Sequence, residues 1–559
     1  MRGYGALTEA ECIAAAREPD WRVPEPGQVL VAPQGASLAA QVRQFDDDAN
    51  LLAFEIGGEP AAQLRRAARE AAVAIGRAFA RRFALWEGPA WTPRHLLVTG
   101  HQPLLAHPGI LVKNLLVADL AARYPGSVGI NVVVDYDTAA EVSASFPSRR
   151  GGRLSIERVA LCSVGYGRPF SQVPPPGAER WEAFCRQAAA ALESLGPEGA
   201  PLVERLADLQ AVVAEPVLGQ ARHLAEWLTA LRHRWEAQAL GDGACYLEVP
   251  MDELASTRPF RLFFAHIALS AARFAAVYNE TLAEYRRRHR IRSRANPFPD
   301  LAVQGGRVEL PFWLLTPGVR RRALHVERQG DGVLLSTADG PVTRLPAGSP
   351  AQLADALEQE GLAIRPRAVA LTLFVRLLVA DLFVHGIGGA RYDRVTDRVA
   401  ERFFGVRPPR YAVASASLPL GLSVGSPEVD AVALRRQLRD LRFNPQRFVG
   451  MLADDGAVGG EALRLAEEKR RLVTEIQQPG APRRELTRQI EAVNERLYAL
   501  LGPVRETLEA RLRQAVQADA ERQASLYREY PAFLYEPMRL RRMTETALAG
   551  LRRPDEAVS

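Results

Sequence analysis

Apolar and polar positions change rhythm several times along this chain. From 63 to 86, QLRRAAREAAVAIGRAFARRFALW repeats its apolar residues at helical spacing, and the first ninety residues read mainly as helix. The rhythm then breaks into short unbroken apolar runs. HLLVTG at 95–100 predicts a buried strand, and the loop HQPLLAHPG follows it. A helix is expected from about Ile110 to Pro125. SVGINVVVDYD at 127–137 predicts a second strand ending in two aspartates. Strand, loop, helix and strand make a βαβ unit, and strands apolar on both faces suit a parallel sheet covered on each side.

Further along, 151–180 is rich in Gly, Pro and Arg and reads as an excursion from the core. Amphipathic helices occupy 181–238, CYLEVP at 245–250 predicts a strand, and one long helix is expected over 258–289, ending in the basic run YRRRHRIRSR. Alternation over 302–346 predicts a small antiparallel sheet. A helical, glycine-containing core segment then covers 350–415. In 430–525, Leu486, Ile490, Val493, Leu497 and Leu500 recur at spacings of four and three. An earlier stripe of Leu463, Leu465, Leu472 and Ile476 is separated from them by the turn QQPGAPRR at 477–484. Two such helices predict an antiparallel coiled-coil arm suited to homodimerisation. The aromatic tail YREYPAFLYEPMRL is expected to pack back onto the body. The expected organisation is therefore 1–150 and 347–429 as two parts of one core, 151–346 as insertions, 430–525 as the arm, and 526–559 as a return to the core.

Composition sharpens this picture at one point. The 559 residues are 47% hydrophobic and 24% charged, a globular balance that excludes wholesale disorder. Only two of the 71 basic residues are lysines, Lys113 and Lys469; the others are arginines. A net charge of +6, spread along the chain against 65 acids, reports arginine usage more than a nucleic-acid surface. Four separated cysteines (Cys12, Cys162, Cys185 and Cys245) with no CxxC spacing fit a reducing cytoplasm, which is the expected location. The first twenty residues carry scattered acids and no leader-like apolar run, and the apolar stretch at 371–389 is too short and too charged to span a membrane.

Candidate chemistry gathers at the carboxyl ends of the predicted strands, where parallel sheets bind ligands. The segment TGHQPLLAHPGILVKN holds Thr99, Gly100, His101, Gln102, His107, Lys113 and Asn114. It leads into a helix N-terminus, whose free N–H groups and dipole favour an anion. Lys113 is one turn in, and a lysine among arginines marks a need for a compact, tunable charge; as a solvated helix residue, Lys469 needs no such explanation. Asp135 and Asp137, at i and i+2, point to one side if both extend the strand, to hold Mg²⁺, an amine or a hydroxyl; capping the next helix is the plainer role. HGIGGARYD supplies Gly386, Gly388 and Gly389 flanked by His385, Tyr392 and Asp393, suited to a phosphate or carboxylate. The run Arg286–Arg294 reads chiefly as a solvated helix end. Phosphate-loop, dinucleotide, nucleophile-elbow and HExxH patterns are missing from the sequence.

On these residues the chain resembles the cysteine-adding ligase family of bacillithiol biosynthesis. The matching positions are Thr99, Gly100, His101, Gln102, Pro108, Gly109, Lys113, Asp135 and Asp137, and later Arg365–Pro366, Gly388–Gly389 and Tyr392. The resemblance implies an α/β fold with a Rossmann-like core related to class I nucleotidyltransferases, insertions, and a dimerising coiled coil. Two departures stand at the site. His101 replaces the first of two glutamines, and Asp135–Tyr136–Asp137–Thr138 replaces an acidic cluster containing histidine. The resulting expectation is a ligase or group-transfer enzyme joining an amino acid, with cysteine one candidate, to a small polar substrate, assisted by ATP or another nucleotide with Mg²⁺. In it His101 and His107 stabilise transferring charge, Lys113 neutralises an anion, Asp135 and Asp137 hold an amine or metal, and the glycine loop closes the other side. The alternatives are a nucleotidyltransferase using ATP or CTP and a non-catalytic assembly or nucleic-acid-binding protein.

Overall fold

The computed structural model describes residues 21–424, 430–452 and 456–551. Cys12 and the first twenty residues, read above for a leader, lie outside them. The chain divides into two compact units, one from 1–146, 157–420 and 528–559, the other from 147–156 and 421–527.

The first unit is built on a six-stranded sheet of β1 (Val29–Ala32), β2 (His95–His101), β3 (Ser127–Val133), β4 (Tyr246–Pro250), β5 (Leu382–His385) and β6 (Tyr411–Ala416), in the order β1-β6-β5-β2-β3-β4. β1 is an antiparallel edge; the other five strands are parallel. Its helices include α1 (Ala61–Arg82), α2 (Pro108–Arg123), α3 (Leu224–Leu240), α4 (Ala368–Leu378) and α5 (Ile387–Val399).

Both faces are covered, and glycine sets how closely. A Cβ on Gly129 would stand 3.0 Å from the Val117 carbonyl oxygen, so β3 admits α2 only as glycine. On the other face a Cβ on Gly76 of α1 would meet the Leu247 Cβ at 2.9 Å. β2 pairs β3 on one side and β5 on the other, with Thr99 opposite both Asn131 and Val384. The Thr99 hydroxyl donates to the Val384 carbonyl at 2.9 Å, pinning β2 to β5. The strand order reverses at this pair, so the helices that follow leave toward opposite faces. α2 packs on the Gly129 face, and α5 packs against α4, which lies with α1 on the other.

Several expectations change. The helical first ninety residues contain β1, whose four residues are too few to display a period. The excursion at 151–180 begins within a long hairpin, Glu141–Arg150 with Arg153–Ser163, turned by Gly151 and Gly152 at φ of 59° and 79°. The long helix over 258–289 is two, Arg258–Leu269 and Ala271–Arg288, bent by 85°. The bend lets Phe260, Phe263 and Phe264 of one and Phe274, Tyr278 and Leu282 of the other enter the same core, which a straight rod would not allow. Its basic end is the solvated helix end expected, with Arg287, Arg288, Arg290, Arg292 and Arg294 exposed; only Arg286 turns inward, donating to the carbonyls of Asn296, Arg294 and Phe298 and pairing with Asp300 at 2.7 Å. The antiparallel sheet has the order Gly340–Pro346, Gly332–Thr337, Arg322–Gln329, Arg307–Leu315 and Ala363–Pro366, the last strand coming from beyond the alternating segment. In the tail, Tyr530, Phe533, Leu534 and Tyr535 are buried in the first unit. Among the described residues no single helix is long and apolar enough to cross a membrane.

The second unit contains α6 (Ala431–Phe443), α7 (Gly456–Glu475), α8 (Arg483–Leu500) and α9 (Gly502–Ser525). Leu465, Leu472, Leu486, Val493 and Leu497 join α7 to α8, while Leu434, Leu441, Val504 and Leu508 join α6 to α9. Leu463 does not belong to the stripe; it is 58% exposed, because a residue two before Leu465 faces another side of a helix. Lys469 is not solvated. Its ammonium is buried and donates to the Phe443 carbonyl at 3.1 Å, to Gln446 Oε1 at 2.7 Å and to Asn494 Oδ1, satisfying a terminal carbonyl of α6.

The close approach of α2 is testable. Gly129→Ala is expected to lower stability by about 1–3 kcal/mol in urea unfolding; an unchanged midpoint would show that α2 is free to move outward.

Candidate functional site

The reversal of strand order leaves a crevice at the carboxyl ends of β2 and β5, and the predicted residues divide between the two faces that border it. Strand alternation puts Thr99 and His101 on the α2 face with Asn131. The Cβ position of Gly100 looks onto Val132 and Phe383, marking the opposite face, and the ring of Phe383 lies 4.4 Å from that of His385. His101 and Lys113 therefore border the crevice from one side, and His385 borders it from the other.

Lys113 is 4% exposed. Among the described residues its ammonium donates only to the Gly100 carbonyl, at 3.0 Å, and no carboxylate pairs with it. Burial, with the nearby Arg232 charge, lowers its pKa to about 8. His101 presents Nδ1 to the Gln102 carbonyl at 3.1 Å. A carbonyl only accepts, so Nδ1 carries the proton and Nε2 keeps its lone pair. Burial and the Lys113 charge hold the ring neutral, its pKa lowered to about 3.

His107 has another role than the one expected. It is the N-cap of α2: its Nδ1 accepts from Gly109 N–H at 3.1 Å, and its carbonyl accepts from Ile110 and Leu111 at 2.9 and 3.0 Å. Pro108 has no N–H to offer. The α2 N-terminus, expected to hold an anion, is thus satisfied by its own chain. Burial and then Arg528 lower the His107 pKa to about 4, as an accepting Nδ1 requires. Gly109 leaves room here for Arg528, which donates to Ser415 Oγ and the Ala416 carbonyl; a Cβ would meet that carbonyl at 2.9 Å.

The open helix end is α5. Gly386 caps it without a side chain, and among the described residues the N–H groups of Ile387, Gly388 and Gly389 have no acceptor. Around Gly386 and Gly388 a Cβ would meet nothing within 4 Å. Gly389 is glycine for a different reason: a Cβ would stand 2.8 Å from His385 Nδ1. His385 Nε2 donates to Asp393 Oδ2 at 2.8 Å, leaving Nδ1 with the lone pair. Against the cost of burial, Arg376 and His385 hold Asp393 well below the usual carboxylate range, and burial keeps His385 neutral. Asp393 is consequently a positioning residue for His385. Tyr392 is 40% exposed and packs on Phe298 at 5.4 Å.

The two aspartates do not share a site. β3 ends at Val133, so strand alternation no longer governs Asp135 and Asp137. Asp137 accepts from Gln102 Nε2, from Arg321 at 2.7 Å and from Thr138 N–H at 2.8 Å, locking the loop after β2. Asp135 is buried and accepts from Asp252 N–H at 3.0 Å. Burial and the Asp252 charge push its carboxyl well up, against Arg365. These diverging carboxylates do not form a pair for Mg²⁺, and among the described residues no three His, Cys, Asp or Glu side chains gather as metal ligands. Thr99 is also spent internally, whereas Asn114 is half spent, its buried Oδ1 having no partner among the described residues. Asn114 Nδ2 donates to Tyr246 OH at 3.1 Å.

That last bond belongs to a buried polar network not anticipated from sequence. Arg232 of α3 donates to Glu236 at 2.9 Å, Tyr246 OH at 2.7 Å and Glu248 at 2.5 Å; His233 and Asn131 also bond Glu248, at 2.9 and 2.8 Å. The signal lay in RHRWE and YLEVP, charged residues inside elements that otherwise read as core. No family model and no curated protein matches the chain.

The uncompensated Lys113 charge makes a prediction about stability. Its folded pKa, about 8, lies below the ordinary 10.5, so the unfolded chain binds more protons between these values and stability rises with pH there. Lys113→Met should be the more stable protein at pH 7, by on the order of 3 kcal/mol at most. That advantage should shrink as pH climbs from 8 to 10.5. Urea melts across this range that show a constant or growing gap would contradict it.

Proposed function

We propose that this protein is an enzyme of the ligase or group-transfer type that binds the anionic group of a small polar substrate in the β2–β5 crevice. One observation carries the reading: a buried ammonium without a counter-ion and three unpaired N–H groups of α5 lie at the ends of neighbouring parallel strands. The buried ammonium is costly to leave unmatched, the N–H groups of the solvent-facing first turn of α5 are free to bind, and an anion satisfies both. Phosphate suits them well, which supports a nucleotide as co-substrate.

In this reading Lys113 and the α5 N-terminus neutralise charge developing on a phosphoryl or acyl group. His385 Nδ1, oriented by Asp393 as a carboxylate orients a catalytic imidazole, is a lone pair available to take a proton from an attacking amine, while His101, held neutral beside Lys113, offers Nε2 as a hydrogen-bond acceptor that orients the amine. An amino acid, cysteine included, remains the proposed second substrate, in keeping with the resemblance to the cysteine-adding ligases. The order of the five parallel strands, reversing at β2 and β5, is the doubly wound order of Rossmann-type folds and supports a relationship to class I nucleotidyltransferases. The same phosphate half-site favours a second reading as a nucleotidyltransferase. ADP and phosphate accumulate under ligase chemistry; pyrophosphate accumulates under nucleotidyl transfer. Homodimerisation through α7 and α8 is proposed on the helical hairpin they form.

Pyrophosphate and ATP should raise the melting temperature of the wild type saturably at pH 7. Lys113→Ala should weaken binding by about tenfold to a hundredfold while the protein stays folded, the usual cost of losing a charged hydrogen bond. Affinity should fall above pH 8 as Lys113 loses its proton, with no matching fall between pH 5 and 7, because both His101 and His107 are already neutral there. Undiminished binding by the alanine variant would overturn the assignment.

A further inference from the structure

A second cavity, of about 280 Å³, lies between the helix Arg258–Leu269 and the segment leading into the strand Ala363–Pro366. Phe260, Phe264, Leu362 and Ile364 make its walls. Arg365 and Arg261 line it as well. Arg365 is 4% exposed. Its Nε donates to Asp252 Oδ1 at 2.5 Å and its Nη1 to the Ile364 carbonyl at 2.8 Å, while Nη2 has no partner among the described residues. Arg261 is held by Glu358 at 2.7 Å, and its buried Nε is likewise without a partner.

We propose that this cavity binds a small carboxylate carried on a compact apolar body, with the carboxylate on Arg365 Nη2 and the body against Phe260 and Phe264. The size sets the first limit. Pockets for drug-sized molecules begin near 300 Å³, so this one takes about one ring and its acid. Charge sets the second. Arg365 is paired with Asp252 and Arg261 with Glu358, so the wall has no surplus charge to draw a phosphate dianion. It offers a directional guanidinium donor in a lining that also holds Ser256 and the Arg261–Glu358 pair, and a charge-assisted bond is about twice as strong as a neutral one. The site is separate from the anion half-site of the β2–β5 crevice and does not depend on that reading. It is nonetheless wired to the strand ends, because the Asp252 that anchors Arg365 also donates its N–H to Asp135.

The probe is phenylacetate, with phenylacetamide as its neutral isostere, titrated by calorimetry against the full chain. Saturable binding of the acid at one site, at least about tenfold tighter than the amide, is expected. Arg365→Gln should remove that preference. As this residue also holds Asp252, Leu362→Trp provides an independent variant that fills the cavity and should abolish binding of both probes while leaving Arg365 in place. Lys113→Ala should leave phenylacetate binding unchanged. Equal binding of acid and amide, or no binding at all, would overturn the proposal. So would binding lost in Lys113→Ala but kept in Leu362→Trp, which would put the acid in the β2–β5 crevice instead.

Discussion

A parallel sheet whose strand order reverses leaves its own carboxyl edge uncovered at the point of reversal. In this protein that point is the pairing of β2 with β5, and its backbone is fixed by the Thr99 hydroxyl on the Val384 carbonyl. The arrangement of the proposed anion site follows from this constraint. α2 and α5 depart on opposite sides, so the groups they carry approach the same gap from different faces. Lys113 and His101 come from one side; the α5 N-terminus and His385 come from the other. The remaining features serve to keep these groups in place: Asp137 ties the loop after β2 to Arg321, and Asp393 fixes the imidazole of His385.

Polar groups inside this fold fall into two kinds. Arg232, Glu236, Glu248, His233 and Tyr246 satisfy one another beneath α2 and α3, as does the cluster in which Arg65 and Arg69 hold Asp381. Such closed networks are costly to break and unavailable to ligands. Lys113 is the opposite case, buried yet incompletely matched, and it stands across the gap from the solvent-facing first turn of α5. The contrast is what distinguishes a site from a structural cluster, since a charged residue under the surface is unremarkable once its partners are counted.

Sequence reasoning reached the βαβ unit, the second sheet and the helical hairpin because each has a period long enough to read. It reached Lys113 because the chain otherwise uses arginine. It missed what local pattern does not encode. β1 has four residues and no period; the break at Ser270 is imposed by two apolar faces seeking one core. The hydrogen-bond partners of His107 and the aspartates are illegible in the sequence for a shared reason. Whether an imidazole caps its own helix, or a carboxylate folds back onto a loop, depends on backbone direction after the element ends, and the strand rule had already lapsed at Val133. The glycines divided similarly: HGIGG identified a turn, yet only the packed structure separates Gly389, required by the His385 ring, from Gly386 and Gly388, which border open space.

The second lysine carries a consequence of its own. Lys469 lies in a cage of three oxygens, 5% exposed, and Lys113 is equally hidden. These are the chain's two ε-amines. The folded surface therefore presents no lysine amine to acylating reagents, cross-linkers or modifying enzymes. An adduct on Lys113 records entry of a reagent into the crevice, and one on Lys469 records an opening within the helical unit, so the two amines report separately on the two parts of the molecule.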